Sequence, residues 1–176
     1  GVTKLGISNK DDVNKLDLNA TFAGYISLQR NFFISNNTLA FWSTPDGLAY
    51  ANYSALGYRK QFVRGYEIYL IEGPYYILNK TTLKKRIFSR TYNMSMMPLK
   101  QFRYVPLSIY LKTYADLGYV ENYAGYTNGV RLTNKLLTGV GAGIDIVASY
   151  DAVFRLEYTF NEEGERGFFF HIKKEF

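Results

Sequence analysis

The sequence predicts an all-β chain, a transmembrane antiparallel β-barrel of about eight strands with one long loop. Three features point there. Apolar and polar residues alternate over stretches of about thirteen residues, against the five or six of an ordinary globular strand. The 17 Tyr, 13 Phe and single Trp make 18% of the chain aromatic, yet mean hydropathy is only −0.18. Many apolar side chains are thus diluted by many polar ones, as in a wall with one oily and one wet face. Finally, no stretch approaches the roughly eighteen consecutive apolar residues that a membrane-spanning helix requires.

Composition also narrows the function classes. Without Cys there is no disulfide, thiol nucleophile or thiolate metal site, and His171 alone makes no histidine cluster. No metal site and no cofactor are expected. The formal charge of +6 is spread among strand-like stretches and forms no single basic run, which argues against nucleic acid. An enzyme is not expected either, because His171 is the one imidazole available to a hydrolytic triad and falls on a strand. Gly1 opens directly on strand-like sequence, which reads as a trimmed precursor or a fragment.

In chain order, residues 1–8 look like a short strand. Over residues 16–28 the even positions Leu16, Leu18, Ala20, Phe22, Gly24, Ile26 and Leu28 alternate with Asp17, Asn19, Thr21, Ala23, Tyr25 and Ser27. Residues 32–44 and 75–88 read as strands of uncertain register, their alternation broken by Asn36, Asn37, Lys84 and Arg86. Between them, residues 47–73 form a loop far longer than a hairpin turn, a length usually reserved for function or disorder. Over residues 106–118, Leu107, Ile109, Leu111, Ala115 and Leu117 share one face, so Ser108, Lys112, Tyr114, Asp116 and Gly118 point inward. Over 136–150 the inward row carries Gly139, Gly141, Gly143 and Asp145, leaving room against that wall.

Residues 152–160 and 168–176 repeat the pattern across a polar turn at 161–167, with Phe154, Leu156 and Phe160 on one face and Arg155, Glu157 and Thr159 on the other. In the last stretch Phe168, Phe170, Ile172 and Phe176 form the apolar row, and Lys174 is its exception. No linker divides the chain, so residues 1–176 form a single barrel region. Apolar rows are expected to face lipid, with Phe22, Ile144 and Leu156 intolerant of charge and Asn19 and Thr159 tolerant of it.

The long loop carries Val63-Arg64-Gly65-Tyr66, and two strands later Tyr114-Ala115-Asp116-Leu117-Gly118 lies with Asp116 inward. This order resembles the barrels of the BamA/TamA-type bacterial surface antigen superfamily. There a Val-Arg-Gly-Phe or Val-Arg-Gly-Tyr loop tip folds into the lumen, and an aromatic-x-Asp-x-Gly motif lines the second strand after it. The final strand, ending in Phe176, resembles that family's last strand, whose alternating aromatics serve as an assembly signal. The resemblance covers residues 16–176 and departs at Lys173-Lys174, where a small residue is usual.

The resemblance implies the C-terminal half of a sixteen-stranded barrel in the outer membrane of a Gram-negative bacterium. It further implies that Arg64 pairs with Asp116, that Gly65 keeps the tip tight and that Tyr66 packs on the wall. The function it implies is insertion of outer-membrane proteins or translocation of polypeptide, without enzymatic chemistry. Its partners would be outer-membrane lipid, client outer-membrane or secreted polypeptides, and either accessory lipoproteins or a second copy of the chain. The POTRA modules that tell assembly factors from secretion transporters are not among these residues, so both branches stay open. A passive porin-like or anchoring barrel, including the membrane part of a patatin-like fusion, is the alternative, with Arg155, Glu157, His171 and Lys173 lining its passage.

Overall fold

A computed structural model describes residues 1–5, 15–44, 56–57, 61–93, 103–123, 131–148 and 152–174. Among these residues are β1 (Val2–Leu5), β2 (Lys15–Leu28), β3 (Phe32–Thr44), β4 (Tyr75–Asn93), β5 (Tyr104–Glu121), β6 (Leu136–Val147), β7 (Ala152–Asn161) and β8 (Arg166–Lys174). Each pairs antiparallel with its sequence neighbours, giving one eight-stranded sheet in the order β1 to β8. None of the described residues is helical. β1 and β8 form the two edges and do not pair with each other.

Several boundaries differ from the sequence expectation. β4 runs on past residue 88 to Asn93, because a bulge between Arg86 and Phe88 shifts the register by one residue. Before it the odd residues share a face with Ile77; after it the even residues Phe88 and Tyr92 do, so one long strand reads as broken alternation. β5 begins at Tyr104 and extends to Glu121, β6 stops at Val147, and β8 starts at Arg166. The expected parts at residues 6–8, 149–150 and 175–176 lie outside the described residues, as do 47–55 and 58–60 of the loop.

The face carrying the loop is here termed inner. Across β5 to β8 the other face presents continuous apolar rows, because Leu111 pairs with Ile144, Ile144 with Leu156, and Leu156 with Phe170. All four are exposed, as are Phe154, Phe160, Phe168 and Ile172. On the inner face lie Lys112, Tyr114 and Asp116 of β5, Asp145 of β6, and Glu157 and Thr159 of β7, all buried. Thr159 therefore corrects one expectation: it is 1% exposed, so a charge there would be buried without water.

Asn36 interrupts the apolar outer row because it belongs to a polar group that β3 and β4 close between them. Its side chain donates to Asn79 and Thr81, Asn79 donates to Thr38 and Asn36, and the two threonine hydroxyls donate to Asn36 and Asn79. Every polar hydrogen of the four side chains is used within the group.

Near the loop end, the inner face carries a hydrophobic core. Leu56, Val63, Tyr66 and Ile71 of the loop pack with Phe41, Tyr76, Leu78, Val120, Leu132 and Leu137, and Phe41 stacks on Tyr76 at 5.2 Å between centroids. Burial of such side chains contributes about 1.5–3 kcal/mol each at most. Hydrophobic packing thus seats the loop, and polar contacts determine where its tip ends.

Candidate functional site

The tip is a four-residue turn in which the Val63 carbonyl accepts from the Tyr66 amide at 3.0 Å. Gly65, its third residue, has φ 93°, the positive value a type II turn requires there and one a side chain would strain. Below the tip the loop is closed by an antiparallel bridge between Leu56 and Ile71. Lys80 of β4 reaches up to the Phe62 carbonyl at 2.8 Å and lies over the Phe62 ring.

This turn aims Arg64 at the inner wall. Its Nε donates to Asp116 Oδ2 at 2.7 Å and its Nη2 to Asp116 Oδ1 at 2.5 Å, a bidentate match of guanidinium to carboxylate. The Arg64 amide also donates to Asp116 Oδ2 at 3.1 Å, Nη2 to Thr82 at 3.1 Å, and Nη1 to Glu157 at 3.4 Å. The guanidinium lies 3.7 Å from the centroid of the Tyr114 ring, a favourable place for a cation. Two residues past Asp116, Gly118 has no side chain where Val63 needs room: a Cβ there would collide with the Val63 methyl. Tyr114, Asp116 and Gly118, successive inward positions of β5, therefore each meet the tip.

The glycine row of β6 explains how side chains from two strands can join. Gly141 lies between Tyr114 and Thr159 in register, and the Tyr114 hydroxyl crosses it to reach Thr159 at 2.5 Å. Gly143 lies likewise between Lys112 and Glu157, whose Nζ and Oε1 meet at 2.7 Å. At Gly139 the space belongs to the loop, since a Cβ would fall on the Arg64 carbonyl oxygen. The room inferred from these glycines is thus filled partly by the loop and partly by β5 side chains.

Glu157 joins the tip to a second charge group that sequence reasoning did not find. Lys112, 1% exposed, bonds both Glu157 and Asp145, and Asp145 also takes Lys84 at 2.7 Å and Arg155 at 3.1 Å. Alternation alone puts Lys112, Asp145 and Glu157 on the inner face. Only the register between strands and the absent side chain at Gly143 bring them together. His171 Nδ1 is 3.5 Å from Glu157 Oε2, and its ring stacks on Phe169.

The turn after β7 holds the tip from the other side. Asn161 donates to the Gly65 carbonyl at 2.9 Å and to Glu165 at 2.9 Å, while the Tyr69 hydroxyl donates to Glu165 at 2.6 Å. The bond from Tyr69, then that from Asn161, hold the Glu165 carboxyl below its ordinary value. A depressed carboxyl stabilises the folded form above its unfolded pKa of about 4.3, and that contribution is lost as pH falls through the folded value. Hydrogen exchange of the loop, corrected for intrinsic rates, is therefore expected to be faster in Glu165→Ala than in the wild type near neutral pH. The difference should vanish at acid pH. No difference near neutral pH would show that Glu165 does not tether the loop, and a difference that persists unchanged to about pH 2 would show that its ionised carboxylate is not what holds it.

Of the terminal row, Phe168, Phe170 and Ile172 stand exposed on the outer face, and Phe176 lies outside the described residues. Among the described residues no group of three or more His, Asp or Glu side chains is placed to hold a metal ion. The inner carboxylates are instead each engaged by Arg or Lys. In comparisons with known proteins, no family model, curated protein or solved structure matches this chain.

Proposed function

We propose that this chain is the C-terminal half of a BamA/TamA-type outer-membrane barrel that inserts or translocates other polypeptides. The observation that carries the reading is the inversion of the two faces. Charged side chains are buried under a loop on the inner face, while unbroken apolar rows stand exposed on the outer face across β5 to β8. A soluble sheet would hide those rows; a barrel wall offers them to lipid. The outer quartet of Asn36, Thr38, Asn79 and Thr81 supports the same reading. Its polar hydrogens are satisfied internally, as an apolar solvent demands.

The polypeptide-handling part draws on the sheet edge. β8 is an edge of this sheet; in a closed barrel it would form the seam with a strand outside this chain, and a seam held by few contacts can open to pair with an incoming strand. Polypeptide would be met there by backbone hydrogen bonds, with the strapped loop bracing the wall behind.

Two measurements test the reading. Ile144→Arg and Leu156→Arg are each expected to cost about 2–4 kcal/mol in refolding titrations with lipid, while Asn19→Lys on the inner face of β2 costs under about 1 kcal/mol. Equal costs on both faces would end the membrane reading. In liposomes, the full-length protein should accelerate insertion of an unfolded β-barrel client. Normal insertion of the protein itself with no such acceleration would leave a barrel of another function.

A further inference from the structure

The turn that joins β2 to β3, residues 29–31, lies at the end of the sheet opposite the loop. Arg30 and Asn31 both have positive φ there, 61° and 64°, a conformation that Gly or Asn meets more readily than Arg. Arg86 of β4 fixes the turn from behind. Its amide donates to the Asn31 carbonyl at 2.9 Å and its Nη2 to the Asn31 side chain at 2.7 Å. Arg30 is left exposed. Beside it Lys85 stands exposed on the outer face, its Nζ 5.0 Å from the centroid of the Phe32 ring. Phe32 is the register partner of Lys85 and follows Arg30 by two residues. The Lys85 Cα is therefore about 5 Å from that of Phe32, and the Arg30 Cα within about 7 Å of it. Both long side chains can reach one group placed at the Phe32 ring.

The protein supplies no counter-charge to either cation. Among the described residues neither makes an ion pair, and no Asp or Glu stands in the outer rows at this end. The bulge in β4 turns Arg90 onto the same face, about 14 Å further along the strand, so the outer charges here are all positive. Toward the loop the surface becomes apolar at once. Ile26, Leu28, Leu83 and Leu111 are exposed around Phe32 and Lys85. That order selects the occupant. An inorganic anion would answer the cations and leave the apolar row bare, and a hydrocarbon chain would do the reverse. A phospholipid presents a phosphate and then acyl chains in the same sequence, and uncompensated positive charge favours one with net negative charge.

We propose that Arg30 and Lys85, with Phe32 between them, bind the phosphate of a net-negative phospholipid whose acyl chains lie along Ile26 and Leu83. The proposal rests on the membrane reading above and adds the class of lipid met at the end opposite the loop. Each cation near an anionic headgroup is worth about fivefold in affinity. Salt should weaken the preference, because exposed charges are screened.

The test uses the full-length protein with Leu28→Cys carrying a bimane fluorophore, in phosphatidylcholine nanodiscs. Small amounts of nitroxide-labelled phosphatidylglycerol or nitroxide-labelled phosphatidylcholine, with the same acyl chains, are then added. Quenching reports which lipid sits beside the β2–β3 turn. Phosphatidylglycerol should reach half-quenching at a concentration at least about fivefold lower than phosphatidylcholine. Arg30→Ala with Lys85→Ala should abolish the difference, each single variant should lose part of it, and Arg30→Lys with Lys85→Arg should keep it. Equal quenching by the two lipids in the unaltered turn would overturn the proposal and leave the membrane reading standing, with both cations merely reaching water. A preference indifferent to the alanine variants would also overturn it. So would loss of the preference in inorganic phosphate at matched ionic strength, which would leave only a small-anion site. Absence of quenching by either lipid would overturn the membrane reading together with the proposal.

Discussion

Arg64→Ala is expected to free the loop tip at a cost of about 3–5 kcal/mol, the range for removing one partner of a buried ion pair. The magnitude follows from what is left behind. Asp116 is 0% exposed, and without the guanidinium its nearest cation is Lys80 at 3.8 Å, beyond hydrogen-bond reach. Asp116→Ala should cost less, because Arg64 retains Thr82 and Glu157. Arg64→Lys should fall between, since an ammonium cannot span both carboxylate oxygens or lie flat on Tyr114 as the guanidinium does. Protease access to the loop measures each variant, and the double variant closes the cycle. Coupling of several kcal/mol is expected; strictly additive losses would mean that the two groups do not depend on each other.

This pair also shows where sequence reasoning has purchase. The inward direction of Asp116 follows from period-two alternation along β5, which is local and needs no partner strand. The type II turn is legible too, because Arg-Gly in a long loop supplies the residue that tolerates φ 93°. The bulge at Ile87 is different. It moves every later residue of β4 to the opposite face, and nothing in the local sequence distinguishes that from the end of a strand. Asn36 reads as a break for a related reason: its partners Asn79 and Thr81 are more than forty residues away. The group around Glu157 is the least legible, since it depends on three strands being in one register and on Gly143 lacking a side chain between Lys112 and Glu157. What alternation fixes is direction; which inward charges meet is decided by pairing.

Gly139→Ala is expected to displace the loop tip as surely as loss of Arg64, through space instead of charge. The added methyl would fall on the Arg64 carbonyl oxygen and crowd a Val63 methyl, and the tip has little freedom to retreat. Arg64 is held by its amide and guanidinium on Asp116, and Asn161 grips the next carbonyl, that of Gly65, at 2.9 Å. Gly139 itself is fixed in register between Asp116 and Asn161. With backbone on both sides of the clash, the cost should reach the upper part of the roughly 1–3 kcal/mol range for overpacking, or exceed it. Gly24→Ala is the control, because on the outer face of β2 its methyl would meet only Phe22, at an ordinary 3.8 Å. The two variants should separate clearly in protease access to residues 61–71, with Gly24→Ala indistinguishable from wild type. Adding Gly139→Ala to Arg64→Ala should cost little more, since the tip it would strike has already left. A full further loss in that background would show that Gly139 is required by the sheet itself and not by the loop.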